Sequence, residues 1–252
     1  MTGRLINLLK TVKNNLIKKF MKNNKKVSIT KNGPYCVSGN IPLAKQISTV
    51  GKSGEPEEWK EGEKYPQEES YSLCRCGISK NKPFCDGAHL KNNFDGKETA
   101  SRKEYAKQAG EMSGPGVDLT DAEALCSLGR FCHLAGGTWN NVEKSGDPKC
   151  KKNAIQSACN CPSGRLVVWD KKTKKPIENK FEQSIGIVED PQAGVSGPVW
   201  LRGGIELESA DGKKYEKRNR VTLCRCGQSK NKPFCDGSHI SCGFNDGDKS
   251  LK

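Results

Sequence analysis

Two groups of four residues have types and spacings suited to metal chemistry. They are Cys74, Cys76, Cys85 and His89, and Cys224, Cys226, Cys235 and His239, each a C-x-C-x8-C-x3-H pattern. The chain has 13 cysteines and 3 histidines, so the two groups take two of the three histidines. Thiolate sulfur and imidazole nitrogen are ligands of zinc and of iron–sulfur centres. Cysteines one residue apart suit a tight loop in which both thiolates reach one metal atom. Cys85 and His89, four apart, project from one face of a helical turn. Asp86 then stands at a natural N-cap, Gly87 permits close packing in the first turn, and the helix start faces the site, where it favours anionic ligands. The spacing leaves two readings open. Four Cys/His ligands satisfy tetrahedral zinc, although zinc sites usually pair them as C-x2–4-C and H-x3–5-H. Two subsites, Cys/Cys and Cys/His, instead fit a [2Fe–2S] rhomb with one iron on each pair.

The elements that must position these residues repeat along the chain. Residues 74–89 (CRCGISKNKPFCDGAH) and 224–239 (CRCGQSKNKPFCDGSH) agree at fourteen of sixteen positions, at an offset of 150. Upstream, Gly33–Ile41 parallels Gly197–Ile205; downstream, Phe94 and Phe244 each lie five residues past the histidine. Each half therefore reads as a small module of glycine-punctuated short strands followed by a cysteine-rich loop. Pro83 stiffens the first loop, and Lys80, Lys82, Lys230 and Lys232 stand where they either offset a centre's negative charge or remain solvated.

The repeated segment resembles the CDGSH iron–sulfur domain, the mitoNEET-like family, at every ligand position of both copies. The resemblance covers about sixteen residues per copy, or about sixty with the flanking strands. It implies a [2Fe–2S] cluster held by three cysteines and one histidine in each module. It also implies a small β-rich α+β fold in which two modules, here in one chain, form an intramolecular pseudo-dimer. With one thiolate replaced by a neutral imidazole, reduction is expected to be easier than in plant-type ferredoxins, and cluster retention to depend on pH. The long insert between the modules departs from short tandem members and resembles the middle of longer prokaryotic tandem proteins.

The insert carries its own chemistry. Cys126 and Cys132, followed by Cys161-Pro162-Ser163-Gly164, resemble divergent single-cluster ferredoxin domains. Cys126, Cys132 and Cys161 are a candidate third metal site, for a three-iron cluster or a four-iron cluster completed by Cys159 or His133. The other reading is that these cysteines and Cys150 are buried packing residues. Thr120-Asp121-Ala122-Glu123 has a capping-box pattern that predicts a helix start. Leu166–Trp169 reads as a strand, and the polar, acidic residues 51–70 as a loop. Cys36 and Cys242 match no metal spacing.

The domain organisation expected is a basic amphipathic arm (1–26), a first module (27–111), a middle segment with a helix (112–183) and a second module (184–252). The arm holds eight lysines and arginines and no acid, with Leu5, Leu8, Leu9, Val12, Leu16 and Phe20 at helical spacing. It is a candidate for peripheral contact with an anionic membrane surface, or else a solvated tail.

Composition narrows the function classes. Hydrophobic residues make up 33% of 252, lean for one large core, which favours small modules with metal support. Lysines and arginines number 43 against 29 acids, a net +14, but the arm accounts for more than half of the excess. The remainder is only mildly basic, so no nucleic-acid partner is expected. No stretch approaches a membrane span. Leu5–Leu9 is broken by Lys10 and no cleavage site follows, so a reducing cytoplasm is expected, where an odd number of clustered cysteines binds metal rather than pairing. No glycine-rich nucleotide loop or Ser/His/Asp set is visible. The expectation is a non-enzymatic iron–sulfur protein that passes electrons or whole clusters to redox or apo-iron–sulfur partners. The alternatives are a zinc-stabilised interaction module and a multi-cluster redox component with a third centre in the insert.

Overall fold

The computed structural model describes residues 25–251. The amphipathic arm therefore lies outside the described residues apart from its last two. The fold is β-rich with a few short helices. In the first half run β1 (Lys26–Ile29), β2 (Tyr35–Ser38), β3 (Leu43–Val50), β4 (Pro56–Lys64) and β5 (Ser70–Leu73). The middle holds β6 (Gly110–Ser113), β7 (Val117–Asp121), β8 (Leu166–Asp170) and β9 (Pro176–Ile177). The last part holds β10 (Ser184–Asp190), β11 (Val195–Arg202), β12 (Glu206–Glu208) and β13 (Arg220–Leu223).

Strand alternation builds the centre. Val27 and Ile29 of β1, and Tyr35 and Val37 of β2, are buried while their neighbours are half-exposed, the period of two that one buried face requires. β1, β2 and β5 pair in the same register as β10, β11 and β13. Ile29 faces Tyr35 and Tyr35 faces Leu73 in one set; Ile187 faces Val199 and Val199 faces Leu223 in the other. The similarity upstream of the loops is thus a similarity of strands.

The two sets also exchange strands. β12, which follows β11 in the chain, runs parallel to β1, with Val27 opposite Leu207. β3, which follows β2, runs parallel to β10, with Ile185 opposite Leu43. The resulting sheets, β12-β1-β2-β5 and β13-β11-β10-β3-β4, bury one common core that includes Val27, Tyr35, Leu73, Ile185, Val199 and Leu223.

The middle segment has its own sheet, β6-β7-β8-β9, and its own core of Val117, Leu119, Val142, Ala154, Leu166 and Val168. The strand expected over Leu166–Trp169 is β8. The capping-box expectation is corrected: Thr120 and Asp121 end β7, and only a single 3-10 turn, Glu123–Leu125, follows. Thr120, the expected cap, and its neighbour Asp121 are both engaged across the sheet, and Glu123 is exposed. Thr120 Oγ1 accepts from Trp169 Nε1 at 2.9 Å, and Asp121 pairs with Arg165 at 2.6 and 2.8 Å.

The loop expected over 51–70 is corrected as well, since nine of its residues form β4, paired antiparallel to β3. β4 is an edge strand, which needs little apolar surface and gains from charge on its free side. Its one tryptophan turns inward. Trp59 stacks on Phe131 and Trp200 at centroid distances of 4.6 and 5.0 Å and donates from Nε1 to the Asn160 carbonyl at 2.9 Å.

Candidate metal centres

Each cysteine-rich loop leaves a strand, turns back on itself and enters one turn of helix: α1 (Ala88–Lys91) in the first, and later in the chain its counterpart over Ser238–Ser241. The loop is held by its own backbone. Cys74 N–H donates to the Pro83 carbonyl at 2.8 Å, and Cys85 N–H to that of Ser72 at 2.9 Å; Cys224 to Pro233 and Cys235 to Thr222 repeat this at 2.8 and 3.0 Å. Ser79 Oγ and Ser229 Oγ each donate 2.7 Å to the carbonyl of the phenylalanine before the third cysteine. Lys82 Nζ and Lys232 Nζ each donate 2.7 Å to the carbonyl of that serine, so these lysines brace the loop.

Cys85 precedes the helix rather than lying on it, and Gly87, at φ 83°, is the residue that enters α1. Asp86 is not the helix cap expected; its carboxylate accepts from the N–H groups of Lys80 at 2.8 Å and Ala88 at 3.0 Å, closing the loop. Gly87 N–H and Gly237 N–H point at the sulfurs of Cys85 and Cys235 at 3.5 and 3.4 Å.

The eight residues meet as four pairs. Cys74 and Cys76 sulfurs are 3.7 Å apart, and Cys224 and Cys226 sulfurs 3.8 Å. Cys85 Sγ lies 3.4 Å from His89 Nδ1, and Cys235 Sγ 3.4 Å from His239 Nδ1. Among the described residues, no three His, Cys, Asp or Glu side chains converge closely enough to hold a single metal ion. One Cys/Cys and one Cys/His pair in each loop are donors of the kind that a two-metal group with one metal on each pair would take.

The environment favours deprotonation of one sulfur in each cysteine pair. Cys76 donates to Cys74 and brings its thiol down to about 6, helped by the Ser79 and Gly77 N–H groups, while Cys76 itself is pushed up. Cys224 is brought down to about 7 in the same way, and Cys226 is pushed up. Burial raises Cys85, and raises the fully buried Cys235 well above the ordinary thiol value. Burial, joined by the charges of Arg225 and Arg130, lowers His239 to about 4, so its ring is neutral and free to act as a ligand at neutral pH.

The two loops touch. Gly77 (φ 82°) and Gly227 (φ 79°) lie in the left-handed region, and a β-carbon on either would collide with the carbonyl of Cys226 or Cys76 of the other loop. Only glycine meets both demands.

Sequence reasoning did not assign a role to the residue between the first two cysteines, although both copies read C-R-C. Arg75 and Arg225 are both buried. Arg75 donates to the carbonyls of Thr30 at 3.0 Å, Gly33 at 3.4 Å and Gly96. Arg225 donates to the equivalent carbonyls of Val188 at 2.9 Å and Gly197 at 2.8 Å, and adds ion pairs to Glu189 at 2.8 Å and to Asp246. Phe94 and Phe244 stack on these guanidiniums, with charge centres 5.6 and 5.3 Å from the rings.

In the middle segment, Cys126, Cys132 and Cys161 come into one neighbourhood. The Cys132 thiol is pushed up to about 11 by burial and then by the charges of Cys161 and Cys126. No helix links Cys126 to Cys132; Cys126 closes the 3-10 turn, and Cys132 lies in the irregular stretch Phe131–Gly136. Cys161 ends α2 (Pro148–Asn160), which Asp147 caps through the N–H groups of Lys149 and Cys150 at 2.9 Å each. The proposed fourth ligands turn elsewhere: Cys159 Sγ donates to the Ile177 carbonyl at 3.4 Å, and His133 lies 3.9 Å from Glu55. Cys36 lies 3.8 Å from Ser72 Oγ, and Cys242 is exposed.

The middle segment also reaches the second loop. Asn231 Nδ2 donates to the Ala124 carbonyl at 2.8 Å, Leu128 lies against Gly237, and Arg130 Nη2 donates to both carboxylate oxygens of Asp190 at the end of β10, at 2.7 Å each. His239 is 4% exposed. Among the described residues the first loop has no such cover: nothing approaches within 4 Å of a β-carbon built on Gly87, His89 is half-exposed, and Leu90 is 76% exposed.

Residues 32–90 and 196–240 match the family model described as iron-binding zinc finger, CDGSH type. Residues 112–171, between them, match the model of a divergent 4Fe-4S mono-cluster domain. No curated protein and no solved structure matches the chain at a significant level. No helix of the described residues is long and apolar enough to cross a membrane.

Proposed function

From the premise that the chain is a tandem CDGSH protein with a divergent 4Fe-4S segment between its two CDGSH regions, we propose that this iron–sulfur protein carries two [2Fe–2S] clusters and serves electron or cluster transfer rather than catalysis. In this reading Cys74, Cys76, Cys85 and His89 hold one cluster, and Cys224, Cys226, Cys235 and His239 the other. The observation that carries it is the split of each donor set into a Cys/Cys and a Cys/His pair with no single-ion trio among the described residues. A cluster of this kind supplies one-electron redox chemistry. The chain supplies one readily ionised thiol per cysteine pair, N–H donors aimed at sulfur and a buried arginine between the ligands.

The strand exchange and the contact between the loops support an intramolecular pseudo-dimer. Cys126, Cys132 and Cys161 are the protein ligands we propose for a further cluster in the middle segment; the family match and their shared neighbourhood support this over the packing reading. We further propose a cytoplasmic setting, partners that are redox or apo-iron–sulfur proteins, and peripheral contact with an anionic membrane surface through residues 1–26.

Anaerobic purification with iron, sulfide and zinc analysis on one sample tests the reading. About four irons and four sulfides per chain are expected from the two CDGSH sites alone, and about seven or eight irons if the middle segment is also loaded. A colourless protein with about two zinc ions and no sulfide would replace it with a zinc-stabilised module.

A further inference from the structure

The two CDGSH sites share a sequence but not a charge environment. β10 stands where β1 does, and Arg225 donates to the Val188 carbonyl as Arg75 does to that of Thr30, so Glu189 follows in the second copy where Lys31 follows in the first; the 150-residue offset of the loops sets Asp246 against Gly96. Both acids of the second copy point at the arginine between its ligand cysteines. Arg225 is 1% exposed and Glu189 0%, and Asp246 closes the other side of the guanidinium. Glu189 Oε2 has no hydrogen-bond partner, so its charge is poorly dispersed. In the first copy Lys31 is exposed, Gly96 offers only its carbonyl, and Arg75 has no carboxylate partner among the described residues. One site has a buried, uncompensated cation next to two ligands; the other has the same cation overbalanced by two buried anions.

One other difference acts the opposite way, Asp95 of the first copy where the second has Asn245, but Asp95 is exposed to solvent; Lys91 and Lys97, where the second copy has Ser241 and Gly247, act in the same direction. Lys80, Lys82 and Asp86 recur as Lys230, Lys232 and Asp236 and cancel in the comparison. Arg130 and Asp190 neutralise each other. The middle segment buries the second site, and Cys126 is near enough to Cys235 to raise its thiol by charge. Adding an electron makes an anionic centre more negative. Nearby anions and loss of water oppose that, while a nearby cation favours it, all the more in a low-dielectric interior.

We propose that Glu189 and Asp246 split the two sites in reduction potential, holding the Cys224/Cys226/Cys235/His239 site below the Cys74/Cys76/Cys85/His89 site. The inference rests on both sites carrying clusters. Glu189 and Asp246 are positioning residues here: they act through Arg225 and touch no ligand. The expected split is at least about tenfold in the reduction equilibrium, which for one electron is about 59 mV.

An anaerobic dithionite titration followed by EPR at pH 8 tests it, with iron and sulfide measured on each sample. A chain carrying C235S and H239A retains the first site and is expected to reduce at the higher potential; a chain carrying C85S and H89A retains the second and is expected at the lower. In the otherwise unaltered chain, the isosteric pair E189Q and D246N is expected to move only the lower step, upward toward the other. Equal potentials in the two single-site chains, or an unmoved lower step in E189Q/D246N, overturn the inference while leaving the cluster reading intact. Absence of sulfide from the unaltered chain overturns both.

Discussion

A buried carboxylate such as Glu189 costs free energy in the folded chain whenever it is charged, and only part of that cost is returned by its partner. Burial pushes it up to about 7, against the lowering influence of Arg225. Because the folded value lies above the unfolded one, the native state binds the extra proton between about pH 4.5 and 7. Stability contributed by protonated Glu189 is full below that window, is lost as pH rises through it and is level above it. The size is on the order of 3 kcal/mol, from 1.36 kcal/mol per unit. Urea denaturation of the wild type and Glu189→Gln side by side is expected to show the wild type losing stability relative to the variant between pH 5.5 and 7. Parallel curves would remove Glu189 from the account. At this scale the sequence singled out the eight residues that the structure brings together as four pairs, because their types and spacing repeat in the two loops. It also displayed both arginines in the C-R-C repeat. It could not disclose their roles: Arg75 reads carbonyls that carry no side-chain signature, and the partners of Arg225 lie 36 and 21 residues away.

At the scale of elements, the loops depend on each other through glycine. Gly77→Ala is expected to cost about 1–2 kcal/mol for a left-handed alanine, and more because the Cys226 backbone must move. Gly54→Ala is the control, since it has φ 79° but open space around the β-carbon. G77A is expected to lower the melting temperature well below that of G54A and to reduce iron bound at both sites, although only the first loop is altered. Iron lost from the first site alone would show the loops to be independent. Element reading from sequence succeeded at β8, where Leu166, Val167 and Val168 form a continuous buried apolar run, and failed in two places for physical reasons. The edge strand β4 is coded by charge and one tryptophan, so it has the composition of a loop. Thr120 and Asp121 have capping side chains, but Trp169 and Arg165 engage them across a sheet that no local pattern announces.

At the scale of the molecule, the middle segment makes the halves unequal. It lies over the second loop through Ala124, Leu128 and Arg130, and no other described residue covers the first in that way. Under an iron chelator, iron is expected to leave in two phases, the first site's several-fold faster. Leu128→Ala is expected to quicken the slow phase without changing the fast one. Equal rates at the two sites, or a variant that changes neither phase, would show that the cover does not govern access. The tandem arrangement was legible from the repeat and the insert from its cysteines. The side on which the insert docks was not, because the two loops are nearly identical and the choice rests on contacts such as Arg130 with Asp190, formed only after folding.

The reciprocal pairing of β1 with β12 also sets an order of events in time. Ser28 meets Glu208 across 180 residues of chain. A nascent chain that has emerged through its first CDGSH loop still lacks the strand that completes the sheet beneath it, and β3 still lacks β10. Closing so long a loop is slow compared with forming local turns. The first site, though encoded first, is therefore completed only once β10 and β12 have been made and have paired with β3 and β1.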